Sequence, residues 1–272
     1  MSAVLNSGKA AGSGGTLISY QIDGPERAPW LILSNSLATD RSMWRPQMAA
    51  LSRSRRVLRY DTRGHGRSDS AEPPFTLEQL AGDVISLMDH LRINRAEFMG
   101  LSLGGMTGLQ LAVDHPSRIS RLVCADARAD SPAAYREIWD GNIGRLHSDG
   151  IGVLCEPTME RWFTDAFLNS PEHSELLDGV RAMIRGTTPH GYEGVGRVLQ
   201  QLDLLRRLPA IVCPVLYVVG EFDMAAPVAT MQSMSDTTPE GRLVVIPGAA
   251  HLSNIEQPGL FLEAVSEFLG LA

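Results

Sequence analysis

Short apolar runs bounded by turn residues alternate with stretches of helical spacing along most of the chain, and few folds accept that alternation. Residues 16–21, 30–34, 57–60, 97–101, 121–125, 215–220 and 243–246 read as strands. Between several of them, residues 44–52, 77–91, 104–114 and 260–269 repeat apolar side chains every three or four positions, as amphipathic helices do. The run Val215-Leu216-Tyr217-Val218-Val219 is apolar at successive positions, so both faces of its sheet must be covered. The fold expected is α/β, with a mostly parallel central sheet and helices on both faces. Ligands of such sheets bind at the carboxyl ends of the strands.

The pattern fails between residues 131 and 201, which hold no convincing strand but carry Trp139, Trp162, Phe163, Phe167 and Tyr192. This stretch is expected to be a helical cap inserted over the active edge of the sheet. Residues 1–130 and 202–272 then form the core, and 131–201 the cap. Residues 7–15, rich in Gly and Ser, are expected to be a flexible entry.

Composition excludes several classes of function. With 24 basic against 31 acidic side chains, the net charge is -7, and no basic run is long enough to track a phosphate backbone. Nucleic acid is not an expected partner. No apolar stretch approaches the ~20 residues that cross a bilayer, and residues 1–15 lack a cationic segment followed by an apolar one. Cys124, Cys155 and Cys213 are odd in number and widely spaced, which suits reduced thiols in a cytoplasmic protein. There is no H-x-H or H-E-x-x-H spacing for a metal, and no G-x-x-x-x-G-K-[ST] loop. Neither a metal nor an organic cofactor is expected. A monomer and a small homo-oligomer are equally compatible with the composition.

The sharpest chemical signal is Gly100-Leu101-Ser102-Leu103-Gly104, a G-x-S-x-G sequence between a strand and a helix. Such a turn is sharp and strained. Glycines on either side of Ser102 remove side chains that would obstruct it, and the following helix directs its amides toward any anion formed there. A serine hydroxyl is a poor nucleophile at neutral pH, so a base and an acid orienting it are required. His251 follows a strand through a small-residue loop that would deliver an imidazole to the same edge. His90, His115, His147, His173 and His190 fall in helices, at helix ends or in the insert, where surface or capping roles are expected. For the acid, Asp223 and Glu221 both follow the most apolar strand; Asp223 also suits a turn or helix cap. The order Ser102, Asp223, His251 favours Asp223.

On these residues the chain resembles the α/β-hydrolase superfamily over essentially its whole length. Asp61-Thr62-Arg63-Gly64-His65-Gly66-Arg67-Ser68 is similar to the superfamily's D-x-R-G-x-G-x-S loop, and Gly248-Ala249-Ala250-His251 to the loop carrying its histidine. Asp61, Arg63 and His65 are expected to brace the elbow rather than touch substrate. The resemblance implies an oxyanion hole formed by backbone amides, those of Leu37 and Leu103. The superfamily's H-G sequence is replaced here by Asn35-Ser36, a departure that bears on the loop's shape. The segments 34–40, 57–66 and 251–256 narrow the resemblance to the 3-oxoadipate enol-lactonase branch. That implies a small lactone or ester as partner, opened through an acyl-serine. Its carboxylate would require a cation, for which Arg128 at a strand exit is the candidate, with Trp139 and Trp162 as apolar walls. The alternatives are a general carboxylesterase, a cofactor-free perhydrolase or haloperoxidase, and, more remotely, a small-molecule receptor of the same fold.

Overall fold

The computed structural model describes residues 4–271. Residues 1–3, part of the opening segment read above as lacking a targeting signal, and residue 272 lie outside the described residues. Strands β1 (Val4–Ala11), β2 (Leu17–Asp23), β3 (Trp30–Ser34), β4 (Arg56–Tyr60), β5 (Ala96–Leu101), β6 (Ile119–Ala125), β7 (Val215–Gly220) and β8 (Gly241–Ile246) form one sheet in the order β1-β2-β4-β3-β5-β6-β7-β8. From β4 to β8 every neighbouring pair is parallel; β1 with β2 and β2 with β4 are antiparallel. This is the mostly parallel sheet expected from the strand and helix alternation, in the α/β-hydrolase arrangement that the resemblance implies.

The described helices are α1 (Arg45–Ser54), α2 (Leu77–His90), α3 (Leu103–Asp114), α4 (Ala133–Asp149), α5 (Cys155–Trp162), α6 (Asp165–Leu168), α7 (Ser174–Gly186), α8 (Pro189–Gln200), α9 (Val228–Thr237), α10 (Ser253–Glu256) and α11 (Pro258–Leu269). Helix α2 starts where Thr76 accepts a hydrogen bond from the amide of Gln79 while the Gln79 side chain accepts one from the amide of Thr76. Helix α3 packs on β5, β6 and α2, whereas α11 packs on β7 and α1. Every residue of β5 and β7 is buried between such layers. Helices α4 to α8 occupy the stretch without strands, and Trp139, Trp162, Phe163, Phe167 and Tyr192 are buried in the apolar core shared with the sheet.

The expectation of a flexible entry over residues 7–15 is corrected. Residues up to Ala11 belong to β1, with Ser7 opposite Gln21 and Ala11 opposite Leu17, and a 3-10 turn follows at Ser13–Gly15. Ladder hydrogen bonds do not depend on the side chains that made this segment look like a linker. The turn is also tied down: the amide of Ser13 donates to Asp83 Oδ1 at 2.8 Å, and Arg63 Nη2 donates to Ser13 O at 2.8 Å.

The loop after β4 braces itself and its neighbours. Asp61 accepts from the Arg41 amide, the Arg67 amide and Arg41 Nη1, the last at 2.6 Å. Arg63 makes a bidentate pair with Asp83 of α2 at 2.8 and 2.7 Å. His65 is 1% exposed, and its Nδ1 lies 2.9 Å from Arg63 O, to which it donates. Burial pushes the pKa of His65 down to about 4. A histidine kept neutral in the fold but free to protonate in the unfolded chain contributes stability that is complete above pH ~6.5 and is lost as pH falls toward about 4. Across that window the contribution is on the order of 3 kcal/mol. In denaturant titrations, the stability difference between wild type and His65→Asn is therefore expected to shift by about that amount in favour of the variant as pH falls. A difference independent of pH would show that His65 does not stay neutral in the fold.

Candidate functional site

Ser102 stands between β5 and α3, as the cap of the helix, with φ 53° and ψ -114°, a positive-φ backbone that a non-glycine residue adopts only under strain. The two flanking glycines make the turn possible. A Cβ on Gly100 would stand 2.1 Å from the carbonyl carbon of Gly104, and one on Gly104 would stand 2.1 Å from Ser34 O. The turn is held by Ser102 N donating to Ala125 O at 2.8 Å. Of the non-glycine residues described with positive φ, Ala38, Ser102 and Asp126 all lie around this edge of the sheet. Strain concentrated in this way is characteristic of functional sites.

Two further loops converge on Ser102. The loop after β7 carries Asp223, whose Oδ1 accepts from the amides of Ala225 and Ala226 at 2.7 and 2.9 Å. The loop after β8 carries His251, fixed by Ala250 N donating to Glu256 Oε2 at 2.8 Å. His251 Nδ1 lies 2.8 Å from Asp223 Oδ2, and Nε2 lies 3.0 Å from Ser102 Oγ. A carboxylate oxygen can only accept, so Nδ1 donates to Asp223 and Nε2 is left to accept the serine proton. Glu221, the rival acid, instead accepts from the amide of Gly248 at 3.0 Å and braces the histidine loop.

The loop after β3 is shaped by its departure from H-G. Asn35 Nδ2 donates to Tyr60 O at 2.8 Å and Asn35 Oδ1 accepts from Trp44 Nε1 at 3.1 Å, which locks the asparagine into the core. Leu37 follows, beside Ser102 in the lining of a cavity. Leu103 is the first residue of α3, where amides have no partner within the helix. Leu37 and Leu103 thus both lie beside Ser102.

That cavity has a free volume of about 30 Å³, room for about one water molecule. Its floor is Ser36, Leu37, Ser102 and His251, and its roof comes from α4, α5 and α8, including Trp139, Trp162 and Tyr192. The Trp162 ring lies 6.5 Å from that of His251, and Leu252 N donates to Trp162 O at 3.1 Å. Larger clefts of about 580 and 470 Å³ open beside Arg242 and between Pro46 and Glu175, away from Ser102. Among the described residues no three His, Cys, Asp or Glu side chains meet in a way that could hold a metal ion.

Ser102, Asp223, His251, Leu37, Trp139 and Trp162 are therefore brought together. Arg128 is not. Its guanidinium donates to Asp130 Oδ1 at 3.1 Å, lies 4.9 Å over the Tyr135 ring, and is absent from the cavity wall. The strand exit correctly suggested proximity, but Asp130, two residues on, turns the side chain aside. The cation that does line the cavity is Arg161 of α5. Sequence reasoning also missed Asp126, which is fully buried at the end of β6 and accepts from Gly220 N at 2.9 Å and from Ser253 Oγ. Burial, and secondarily the charge of Asp223, raise its pKa well above the usual carboxylate range. Glu256 was missed too; it joins the histidine loop to Thr164, whose amide it accepts at 3.0 Å. Its place five residues after His251, within 251–256, was the available signal.

A sequence profile of the Alpha/beta hydrolase family matches residues 31–264. The chain is 36% identical over 255 residues to 3-oxoadipate enol-lactonase 1 of Acinetobacter baylyi, covering 94% of each chain. It is similar to the crystal structure of the enol-lactonase from Burkholderia xenovorans LB400, with TM-score 0.92 and 40% identity over 97% of this chain and 100% of that one. A thermophilic esterase from Thermogutta terrifontis, solved with malate bound, matches with TM-score 0.89 and 30% identity over 97% and 98% of the two chains. With its strand order, its strained serine turn and these similarities, the chain belongs to the alpha/beta hydrolase family.

Proposed function

We propose that this hydrolase opens a small lactone resembling 3-oxoadipate enol-lactone by transfer of the acyl group to Ser102 and then to water. The observation that carries the reading is the continuous hydrogen-bonded chain from Ser102 Oγ through His251 to Asp223, at 3.0 and 2.8 Å, on a strained turn beside a small cavity. His251 Nε2 takes the serine proton as Oγ attacks the carbonyl carbon. Asp223 holds the imidazole in the required tautomer and supports its positive charge. The amides of Leu37 and Leu103 receive the developing oxyanion, a contribution of ~3 kcal/mol per donor in comparable sites. Collapse breaks the ring C–O bond, and His251 returns its proton to the departing enol oxygen. Water, deprotonated by the same nitrogen, then cleaves the acyl-serine, and the serine oxygen recovers the proton.

The helical stretch 131–201 acts in this reading as the cap. Because the cavity holds only about 30 Å³ of free space, side chains from α4, α5 and α8 must shift for substrate to enter. The product would be a ring-opened acid. The similarity to the Thermogutta terrifontis esterase favours, as a second reading, a carboxylesterase using the same three residues on acyclic esters. Cys124, Cys155 and Cys213, all buried and unpaired, support placement in a reducing compartment such as the cytoplasm.

Steady-state hydrolysis of 3-oxoadipate enol-lactone, p-nitrophenyl acetate and a neutral lactone of similar size separates the two readings. A kcat/KM highest for the enol-lactone is expected; turnover of the acetate with none of the enol-lactone would leave the esterase reading in its place. Within either, Ser102→Ala and His251→Ala are expected to lower kcat at least ~10³-fold, and Asp223→Asn ~10³- to 10⁴-fold, with unchanged thermal midpoints for the serine variant. A Ser102→Ala protein retaining a tenth of the activity in a clean preparation would exclude Ser102 as nucleophile.

A further inference from the structure

The cavity over Ser102 is lined by one full positive charge and by no carboxylate. That is unusual in a chain of net charge -7, where most buried or half-buried arginines are matched. Arg41, Arg55, Arg59 and Arg63 each pair with an acid within 2.6–2.7 Å, and Arg128 pairs with Asp130 at 3.1 Å. The guanidinium of Arg161, half-buried on α5, has no hydrogen-bond or ion-pair partner among the described residues. A cation held at a closed wall without a counter-charge is destabilised by lost hydration, and an anion entering the cavity relieves that cost.

The surroundings of Arg161 extend the match. Tyr135 and Tyr192, whose hydroxyls can donate, share the cavity wall and lie close enough to the guanidinium for its charge to act on both. Ser36 Oγ, in the same lining, is buried, 1% exposed, and has no hydrogen-bond partner among the described residues. Here Ser36 stands where the superfamily resemblance implies glycine, so this hydroxyl is an addition to the usual loop. The cavity therefore gathers Arg161, two tyrosine hydroxyls and the Ser36 hydroxyl around Ser102. Arg161 lines the same cavity as Ser102 and His251, so the cation stands close to the reacting centre.

We infer that Arg161 is the residue that selects the substrate, by binding a carboxylate borne by the acyl chain of the lactone or ester while its carbonyl lies at Ser102. The inference rests on the hydrolase reading of Ser102 and names the residue that holds the carboxylate of its substrate, in place of Arg128. Arg161 binds and orients; it moves no proton. A planar guanidinium offers a carboxylate two parallel donors, which a lysine does not.

The test compares kcat/KM for a carboxylate-bearing lactone with that for a neutral lactone of the same ring size, in wild type, Arg161→Gln and Arg161→Lys. Taking the ratio within each protein cancels any loss of folded enzyme. In Arg161→Gln the ratio is expected to fall roughly 10- to 100-fold, with Arg161→Lys between the two. A ratio within about twofold of wild type would overturn the inference. Calorimetric titration with adipate needs no turnover and separates this inference from the hydrolase reading. Adipate bound by Ser102→Ala protein but not by the Ser102→Ala, Arg161→Gln double variant supports the clamp, even if neither lactone is hydrolysed and the hydrolase reading falls. Adipate bound equally by both, or by neither, overturns the clamp and leaves the hydrolase reading standing.

Discussion

Forcing a serine backbone to φ 53° between a strand and a helix costs on the order of 1–3 kcal/mol, and the structure around Ser102 is arranged to hold it there. The constraint reaches outward. Gly100 and Gly104 have no space for a Cβ because β5, α3 and the end of β3 approach to backbone contact. That approach seats α3 directly on the sheet, sets the amide of Leu103 beside the serine, and brings the loop containing Leu37 to the same place. The proposed nucleophile and the amides proposed to receive the oxyanion thus depend on the same packing contact.

The two remaining loops depend on buried acids. Asp126 links the end of β6 to Gly220 at the end of β7 and to Ser253 beyond the histidine, so it ties together the loops carrying Asp223 and His251. Its carboxyl is fully buried near Asp223, an arrangement that favours its protonated form and leaves the Asp223 charge to the imidazole. Glu256 plays a related part between layers, accepting from Ala250 on one side and Thr164 on the other. Through it, the turn between α5 and α6 is tied to the loop carrying His251.

Much of this was readable from residue order. Strands 30–34 and 215–220 appear at the expected bounds because apolar runs between turn residues leave little choice of length. The serine turn was legible because its chemistry demands glycines at fixed offsets. By contrast, β1 has no period-two apolar pattern, and its strand exists through non-local pairing with β2 that nothing in residues 7–15 announces. Helix α9 was also missed, since Val228–Thr237 has a weak apolar face and owes its conformation to packing on β7 and β8. The choice between Arg128 and Arg161 turns on where long side chains point. Asp130 captures the first and, among the described residues, nothing captures the second, which only three-dimensional placement reveals.

The central claim is that Ser102 carries the acyl group between the two halves of the reaction. Rapid mixing with p-nitrophenyl acetate, acid quench and peptide mass mapping tests it without assuming the natural substrate. A burst of nitrophenol matching the enzyme concentration, with a single acetyl group on the peptide containing Ser102, is the expected result. Steady turnover with no acetylated peptide, or acetylation confined to another residue, would contradict it.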